Sequence, residues 1–253
     1  MKPLILITND DGVASRGLRH LVHLAMEFGD VVVMAPDRNA SGLSTSITCM
    51  RPLHAYLADK EEGVEYYACD GTPADCVKMG FEHFCPRRPD LVLSGINYGS
   101  NSSINIIYSG TMGAVLEGCL NGLQSIGFSL LSHKPEADFN ACSPYIRHII
   151  RQVLQKPLPD FTALNVNIPH LPAQQIKGIR VCRQARAAWE DSLEKRIDAN
   201  GKPFWTMTGR FVCNNPDHDT DEYCLSNGYV SVVPVSPDFT CYQHIPNIKN
   251  LEL

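Results

Sequence analysis

Pro3-Leu4-Ile5-Leu6-Ile7-Thr8-Asn9-Asp10-Asp11-Gly12 is the stretch that decides the fold. Four consecutive apolar residues with no polar alternation read as a strand buried on both faces, the habit of a parallel sheet covered by helices. A polar turn with a glycine follows, and then residues 17–28 place Leu18, Leu21, Val22 and Ala25 on one helical face. Residues 30–35 return as a second apolar strand. The same alternation continues outward. Residues 46–57 and 63–69 read as strands, the first bent at Pro52, and Thr72 is placed to cap a helix starting at Pro73 and reaching about residue 84. Residues 90–94 form a compact strand, 111–122 a helix of small residues and 125–131 another strand. The longest helical pattern, 137–155, carries Tyr145, Ile149, Ile150 and Val153 on one side. Strands and helices in alternation predict an α/β fold with a mostly parallel sheet.

Beyond residue 158 the texture changes. Residues 162–168 and 176–183 read as strands, and 229–235 as a last one. Between them, 187–213 is charged and turn-rich, with Asn200-Gly201 as the turn of a β-hairpin. The expected organisation is one domain over 1–253. Its core spans about 1–158, and 159–253 supplies the remaining strands, a hairpin arm and a C-terminal tail.

Composition narrows the function. In 253 residues, 44% hydrophobic content suffices for one sizeable core and excludes a disordered chain. The longest apolar runs are strand-sized, so no membrane partner is expected. The apolar start is too short for a secretory segment, which predicts a cytoplasmic protein. A net charge of -5 argues against a nucleic-acid polymer as partner, because phosphate backbones require clustered Lys and Arg. Ten cysteines contain no C-x-x-C spacing and read as reduced thiols in apolar surroundings.

Polar residues gather where strands end. The first strand exits into Asn9-Asp10-Asp11-Gly12, the second into the segment ending Asn39-Ala40-Ser41-Gly42, and the 90–94 strand into Gly95-Ile96-Asn97-Tyr98. Loops after the carboxyl ends of parallel strands share one crevice, which brings Asp10, Asp11, Ser41 and Asn97 to a common edge. Two carboxylates with neutral oxygen donors suit Mg²⁺ or Mn²⁺, with Ca²⁺ fitting a larger cage. Adjacent aspartates repel, and a cation is the natural reason to keep both ionised; an ordinary Asx turn is the alternative. Ser109-Gly110-Thr111 precedes the small-residue helix, where free N–H groups and two hydroxyls can bind an anion or simply cap the helix. The segment lacks the P-loop pattern, and no G-x-G-x-x-G follows the first strand. His20 and His23, at helical spacing, read as packing or surface residues. Arg38 suits a phosphate or a neighbouring carboxylate equally. Asp219 and Asp221 read as helix-capping residues, and Lys60-Glu61-Glu62 as a solvated turn.

These motifs together resemble the SurE-type survival proteins, a family of metal-dependent 5′-nucleotidases. The resemblance rests on I-L-I-T-N-D-D-G at 5–12, A-P-D-R-N-A-S-G at 35–42, D-G-T-P-A-D-C-V at 70–77, S-G-I-N-Y-G-S-N at 94–101 and Y-S-G-T-M-G-A at 108–114. D-T-D at 219–221 and G-Y-V-S-V-V-P at 228–234 extend it in the same order across the chain. It implies a Rossmann-like three-layer sandwich with a projecting hairpin and a C-terminal extension, assembled as a homodimer or homotetramer. It also implies one divalent metal ion per subunit on Asp10, Asp11, Ser41 and Asn97. Asn101, Ser109, Gly110 and Thr111 then face the phosphate, with Asn9 counted among the substrate-binding residues. Asp10 and Asp11 are the catalytic candidates. The implied substrates are nucleoside 5′-monophosphates, with 3′-monophosphates and short polyphosphate as further members of the class. Two alternatives stay open: a haloacid-dehalogenase-like phosphatase, whose first strand ends in D-x-D where this chain has Asn9-Asp10-Asp11, and a non-catalytic metal or nucleotide sensor.

Overall fold

The computed structural model describes residues 1–253 except Glu62, Pro135, Asn215 and Leu253. Strand β1 (Leu4–Thr8) is buried at every position. It pairs in parallel with β2 (Asp30–Pro36) on one side and β5 (Leu91–Tyr98) on the other. The sheet extends past β2 through β4 (Val64–Cys69) to β3 (Ala55–Glu61). Past β5 it continues through β6 (Gln124–Leu130), β7 (Ala163–Ile168), β11 (Val230–Val235) and β8 (Ile179–Val181). Of its nine strands, β3 runs antiparallel to β4, and β11 antiparallel to β7; the other pairings are parallel.

Helices cover both faces, as continuous apolar strands demand. Helices α1 (Arg16–Ala25) and α4 (Ser143–Gln155) contribute Leu18, Leu21, Ile146 and Ile150 to a core shared with Ile5 and Ile7. On the opposite face, α2 (Pro73–Met79) and α3 (Gly110–Leu120) pack Cys76, Val77 and Ala114 against Leu6, Met34 and Val92. Alternate residues of β1 therefore serve opposite layers, the period-2 consequence of a strand buried twice. Outside the sandwich stand a two-stranded ribbon, β9 (Ala188–Ile197) with β10 (Pro203–Val212), the short helix α5 (Asp221–Ser226) and an exposed 3₁₀ stretch, Tyr242–Leu251.

Four elements differ from the sequence reading. Residues 46–54 are not strand: Thr48 N–H is 3.1 Å from Asp75 Oδ1, and Ser46 C=O accepts Thr72 Oγ1 at 2.7 Å, so side chains take the bonds a ladder would use. Strand β5 runs on to Tyr98, with an irregular register between Ser94 and Asn97, where the sequence suggested a loop. Helix α4 starts at Ser143, because Pro144 fits the first turn and a separate short turn, Asn140–Cys142, precedes it. Strand β8 keeps only three of the eight residues expected. Among the described residues, no helix is long and apolar enough to cross a membrane.

Candidate active site

The turn after β1 is built by Asn9 and Gly12. Asn9 is fully buried, and its Nδ2 donates to Gly12 C=O at 3.0 Å and to Ser15 Oγ at 2.8 Å. Ser15 in turn caps α1. Gly12 takes φ +98°, a left-handed conformation that a side chain would resist, and an added Cβ would sit 3.3 Å from the Arg38 carbonyl. The chain thus reverses in the fewest residues and leaves Asp10 and Asp11 at the strand's carboxyl end.

Three other segments meet them there. Ala40 N–H donates to Asp10 C=O at 2.7 Å and brings Ser41 alongside. Thr111 Oγ1 donates to Asp10 Oδ1 at 2.6 Å, and the N–H groups of Gly110 and Thr111 face the same carboxylate. Gly110 has no room for a side chain: a Cβ would lie 2.8 Å from Asp10 Cβ. From β5, Tyr98 N–H faces the Asp11 carboxylate, while Asn97 Nδ2 donates to Gly99 C=O at 2.9 Å. Asp10, Ser41, Asn97, Asn101 and Ser109 all line one cleft of about 900 Å³. Ser109 Oγ accepts Met112 N–H at 3.1 Å as the N-cap of α3. Asn9 lies behind the turn and is not among the residues lining the cleft.

The electrostatics of this corner are unbalanced. Burial pushes the Asp10 carboxyl above its ordinary range, against the pull of hydrogen bonds from Thr111 and Gly110. Burial, then the neighbouring Asp10 charge, raises Asp11 to about 7. Asp11 Oδ2 and Asn9 Oδ1 are buried with no hydrogen-bond partner. A buried, unpaired carboxylate oxygen beside a second carboxylate is a costly arrangement that a cation would relieve. Two carboxylates, a hydroxyl and an amide oxygen are hard donors, so the residues present fit Mg²⁺ or Mn²⁺.

Behind the cleft, β7 supports Asn101. Asn167 Oδ1 accepts Asn101 N–H at 2.8 Å, and Asn165 Nδ2 donates to Asn101 C=O at 2.8 Å. Asn167 Nδ2 closes the pair by donating to Asn165 Oδ1 at 2.9 Å. Asn101 Nδ2 donates to Ser129 Oγ at 2.9 Å. The far wall comes from the ribbon and α5. Trp189, Phe211 and Glu222 line it, and Glu222 Oε1 accepts Ser102 Oγ at 2.5 Å. Burial raises the Glu222 carboxyl above its ordinary range, with the Asp221 charge adding to it and the Ser102 hydroxyl opposing.

The "Survival protein SurE" family profile matches residues 5–191. The chain belongs to the SurE family. It is 47% identical to the 5′-nucleotidase SurE of Flavobacterium psychrophilum, covering 100% of this chain and 98% of that protein. The Bacteroides fragilis 5′-nucleotidase SurE is 45% identical, with the same coverage of both chains. The crystal structure of the SurE protein from Aquifex aeolicus superposes with a TM-score of 0.86 at 40% identity, over 99% of this chain and 100% of that one.

Within this SurE-family chain, sequence reading missed Asn165, Asn167, Ser129 and Glu222. The asparagines had a signal: two polar residues at i,i+2 interrupt an apolar strand and share one face. Glu222 had none. Other candidates fall away from the cleft. His20 Nε2 contacts Ser143 Oγ at 2.8 Å in the α1–α4 contact, and His23 Nδ1 lies 2.7 Å from Arg19 C=O. Arg38 lies 3.9 Å from Asp37 Oδ1 and donates to Asp70 C=O at 3.3 Å. Thr220, not an aspartate, caps α5. Asp219 is exposed and pairs with Arg183, whereas the fully buried Asp221 accepts Ser103 N–H at 2.7 Å and Ala185 N–H at 2.8 Å. Lys60 and Glu61 belong to β3 rather than a turn, with Glu61 accepting Arg19 and Tyr66; Glu62 lies outside the described residues.

Proposed function

We propose that this chain is a divalent-metal-dependent 5′-nucleotidase that hydrolyses nucleoside 5′-monophosphates to nucleoside and inorganic phosphate. The observation that carries the metal is the Asp10–Asp11 pair, with Asp11 Oδ2 buried and unpaired behind a cleft that Asp10, Ser41 and Asn97 line. Asp10, Asp11, Ser41 and Asn97 are the residues that would hold one Mg²⁺ or Mn²⁺ per subunit. When bound, such an ion supplies positive charge against the phosphoryl oxygens and acidifies a water molecule.

The chain's own residues divide the remaining work. The N–H groups of Gly110 and Thr111 go to Asp10. Ser109 lines the cleft and keeps its hydroxyl hydrogen while its Oγ accepts Met112 N–H. It faces the phosphoryl oxygens at the N-terminal end of α3, where the helix favours negative charge. Asn101 keeps its second amide hydrogen for the same group, since one is spent on Ser129. Thr111 and Gly110 hold Asp10 in place, the first by its hydroxyl and the second by having no side chain. Asn9 holds the turn that presents both aspartates. Asp11, which has fewer hydrogen-bond donors than Asp10 and an unpaired Oδ2, is suited to orient the attacking water and accept its proton. A nucleophilic Asp10 would have to give up hydrogen bonds from the Thr111 hydroxyl and from the N–H groups of Thr111, Gly110 and Asp10 itself, which disfavours a phospho-aspartate route.

The same phosphate site accommodates 3′-monophosphates and short polyphosphate. All ten cysteines are free, which suits the reducing cytoplasm. Exposed apolar side chains on the ribbon, Leu193, Ile197, Trp205 and Met207, support a homodimer or homotetramer. The test is phosphate release from AMP and GMP with Mg²⁺, Mn²⁺ or EDTA. Turnover with either metal, stopped by EDTA and restored by excess metal, is the expected result. Tight nucleotide binding with no phosphate released over hours would instead make the chain a sensor.

A further inference from the structure

Among the described residues no cationic side chain pairs with Glu222, a carboxylate in the wall of the substrate cleft. Its neighbour Asp221 fixes where it stands, by tying α5 to the backbone at Ser103 and at Ala185. Ser102 Oγ donates to Glu222 Oε1 at 2.5 Å and lies 2.5 Å from Ser100 Oγ. Among the described residues, none donates to Oε2. The acceptor edge left over can only take donors that come with the ligand, because an ionised carboxylate accepts and never donates.

Position along the chain says which donors. Ser102 directly follows Asn101, the amide proposed to meet the phosphate, and successive Cα atoms are about 3.8 Å apart. Glu222 is therefore tied, through Ser102, to the residue next to Asn101 in the wall of the same cleft. Beside this carboxylate a neutral group with hydroxyl donors is held better than a second phosphate. In a nucleoside 5′-monophosphate that group is the ribose, whose 2′ and 3′ hydroxyls form a vicinal pair matched to two carboxylate oxygens. Farther out, Trp189 and Phe211 offer apolar rings, 5.7 Å apart, against which a base can rest.

We propose that Glu222 is a specificity-determining residue that accepts hydrogen bonds from the ribose hydroxyls, selecting ribonucleotides over 2′-deoxyribonucleotides. This deepens the nucleotidase reading above and rests on it. A carboxylate that loses a ligand hydroxyl keeps an unpaid desolvation, and hydrogen bonds to charged groups differ from their absence by about tenfold to a hundredfold.

The experiment compares kcat/KM for AMP, 2′-deoxy-AMP and IMP in the Mn²⁺-loaded protein, for the parent, Glu222→Gln and Glu222→Ala. The expected parent preference for AMP over 2′-deoxy-AMP is about tenfold or more. In Glu222→Ala that ratio falls towards one, mainly through KM, and Glu222→Gln, which retains an acceptor oxygen, lies between. Equal use of AMP and 2′-deoxy-AMP by the parent overturns the proposal, as does a ratio that survives Glu222→Ala. A change confined to AMP against IMP also overturns it, because Glu222 would then read the base amine. Calorimetry with adenosine and 2′-deoxyadenosine gives the same comparison without phosphate. If no substrate releases phosphate, the nucleotidase reading fails, and the nucleoside affinities still decide the role of Glu222.

Discussion

Asp11 carries a charge that the metal-free fold disfavours, and the consequence has a definite sign. Its carboxyl holds a proton up to about pH 7, against 3.8 as its ordinary value. A folded-state pKa raised above the unfolded one gives a stability contribution that is full below about pH 4 and is lost as pH rises through about 7. In EDTA, the melting temperature is therefore expected to fall between pH 5 and pH 8. Asp11→Asn has no charge to bury, so it should flatten that slope and melt above the parent at pH 8. A thermal scan of both proteins across this range checks it. The same variant should lose about 10²- to 10³-fold in kcat/KM with saturating Mn²⁺, the scale of several kcal/mol of transition-state stabilisation. Near-parental turnover would remove Asp11 from the site. At this scale the sequence was legible where chemistry is local. Asp10 and Asp11 are adjacent after a buried strand, and their repulsion can be read from two letters. Glu222 could not be read, because its partner Ser102 lies 120 positions away and no local pattern marks it.

Helix α3 and strand β7 position the site as elements, and each offers one test. Alanine is the better helix former by about 1 kcal/mol, so propensity alone predicts that Gly110→Ala stabilises α3. Sterics point the other way, since the new Cβ would lie 2.8 Å from Asp10 Cβ and 3.0 Å from its Oδ2. The overlap should win and displace Asp10, so Mn²⁺ affinity is expected to drop at least tenfold, read by calorimetry. In β7, Asn167→Ala strands the Asn101 N–H and the Asn165 amide oxygen, both buried. Each orphaned group costs about 1–3 kcal/mol, so a loss of about 2–6 kcal/mol should appear in urea unfolding, together with a raised KM. An unchanged urea midpoint would mean that water replaces the clamp. Elements with uniform burial, such as β1 and α3, were legible from an unbroken apolar run and a run of small residues. Residues 46–54 were not: their backbone bonds go to Asp75 and Thr72, partners that a local window cannot see. The extra length of β5 was hidden for the same reason, because Gly95 suggested an exit while pairing with β6 resumes at Asn97.

On the scale of the whole molecule, the ribbon makes little sense in a single chain. A two-stranded hairpin standing alone is marginal in water. Its register sets Leu193 opposite Met207 and Lys195 opposite Trp205, so strand alternation places Trp189, Leu193, Ile197, Trp205 and Met207 on one face, with Asp191 and Lys195 among them. The base of that face closes the cleft through Trp189 and Met207. Farther out it is uncovered, with Leu193 62%, Ile197 70% and Trp205 56% exposed. The opposite face carries Glu190, Ser192, Glu194, Arg196 and Arg210, which water solvates. An apolar face of this kind, rimmed by charge, is what an interface with a second copy requires. Light scattering of the purified chain should then give a dimer or tetramer of the 28.0 kDa subunit. Leu193→Glu with Trp205→Glu should shift it towards monomer, since burying two unpaired carboxylates is costly. Assembly driven by apolar burial should also persist in high salt, which would screen an interface built from exposed ion pairs. A parent chain that scatters as a monomer at micromolar concentration would leave the ribbon serving only the cleft wall.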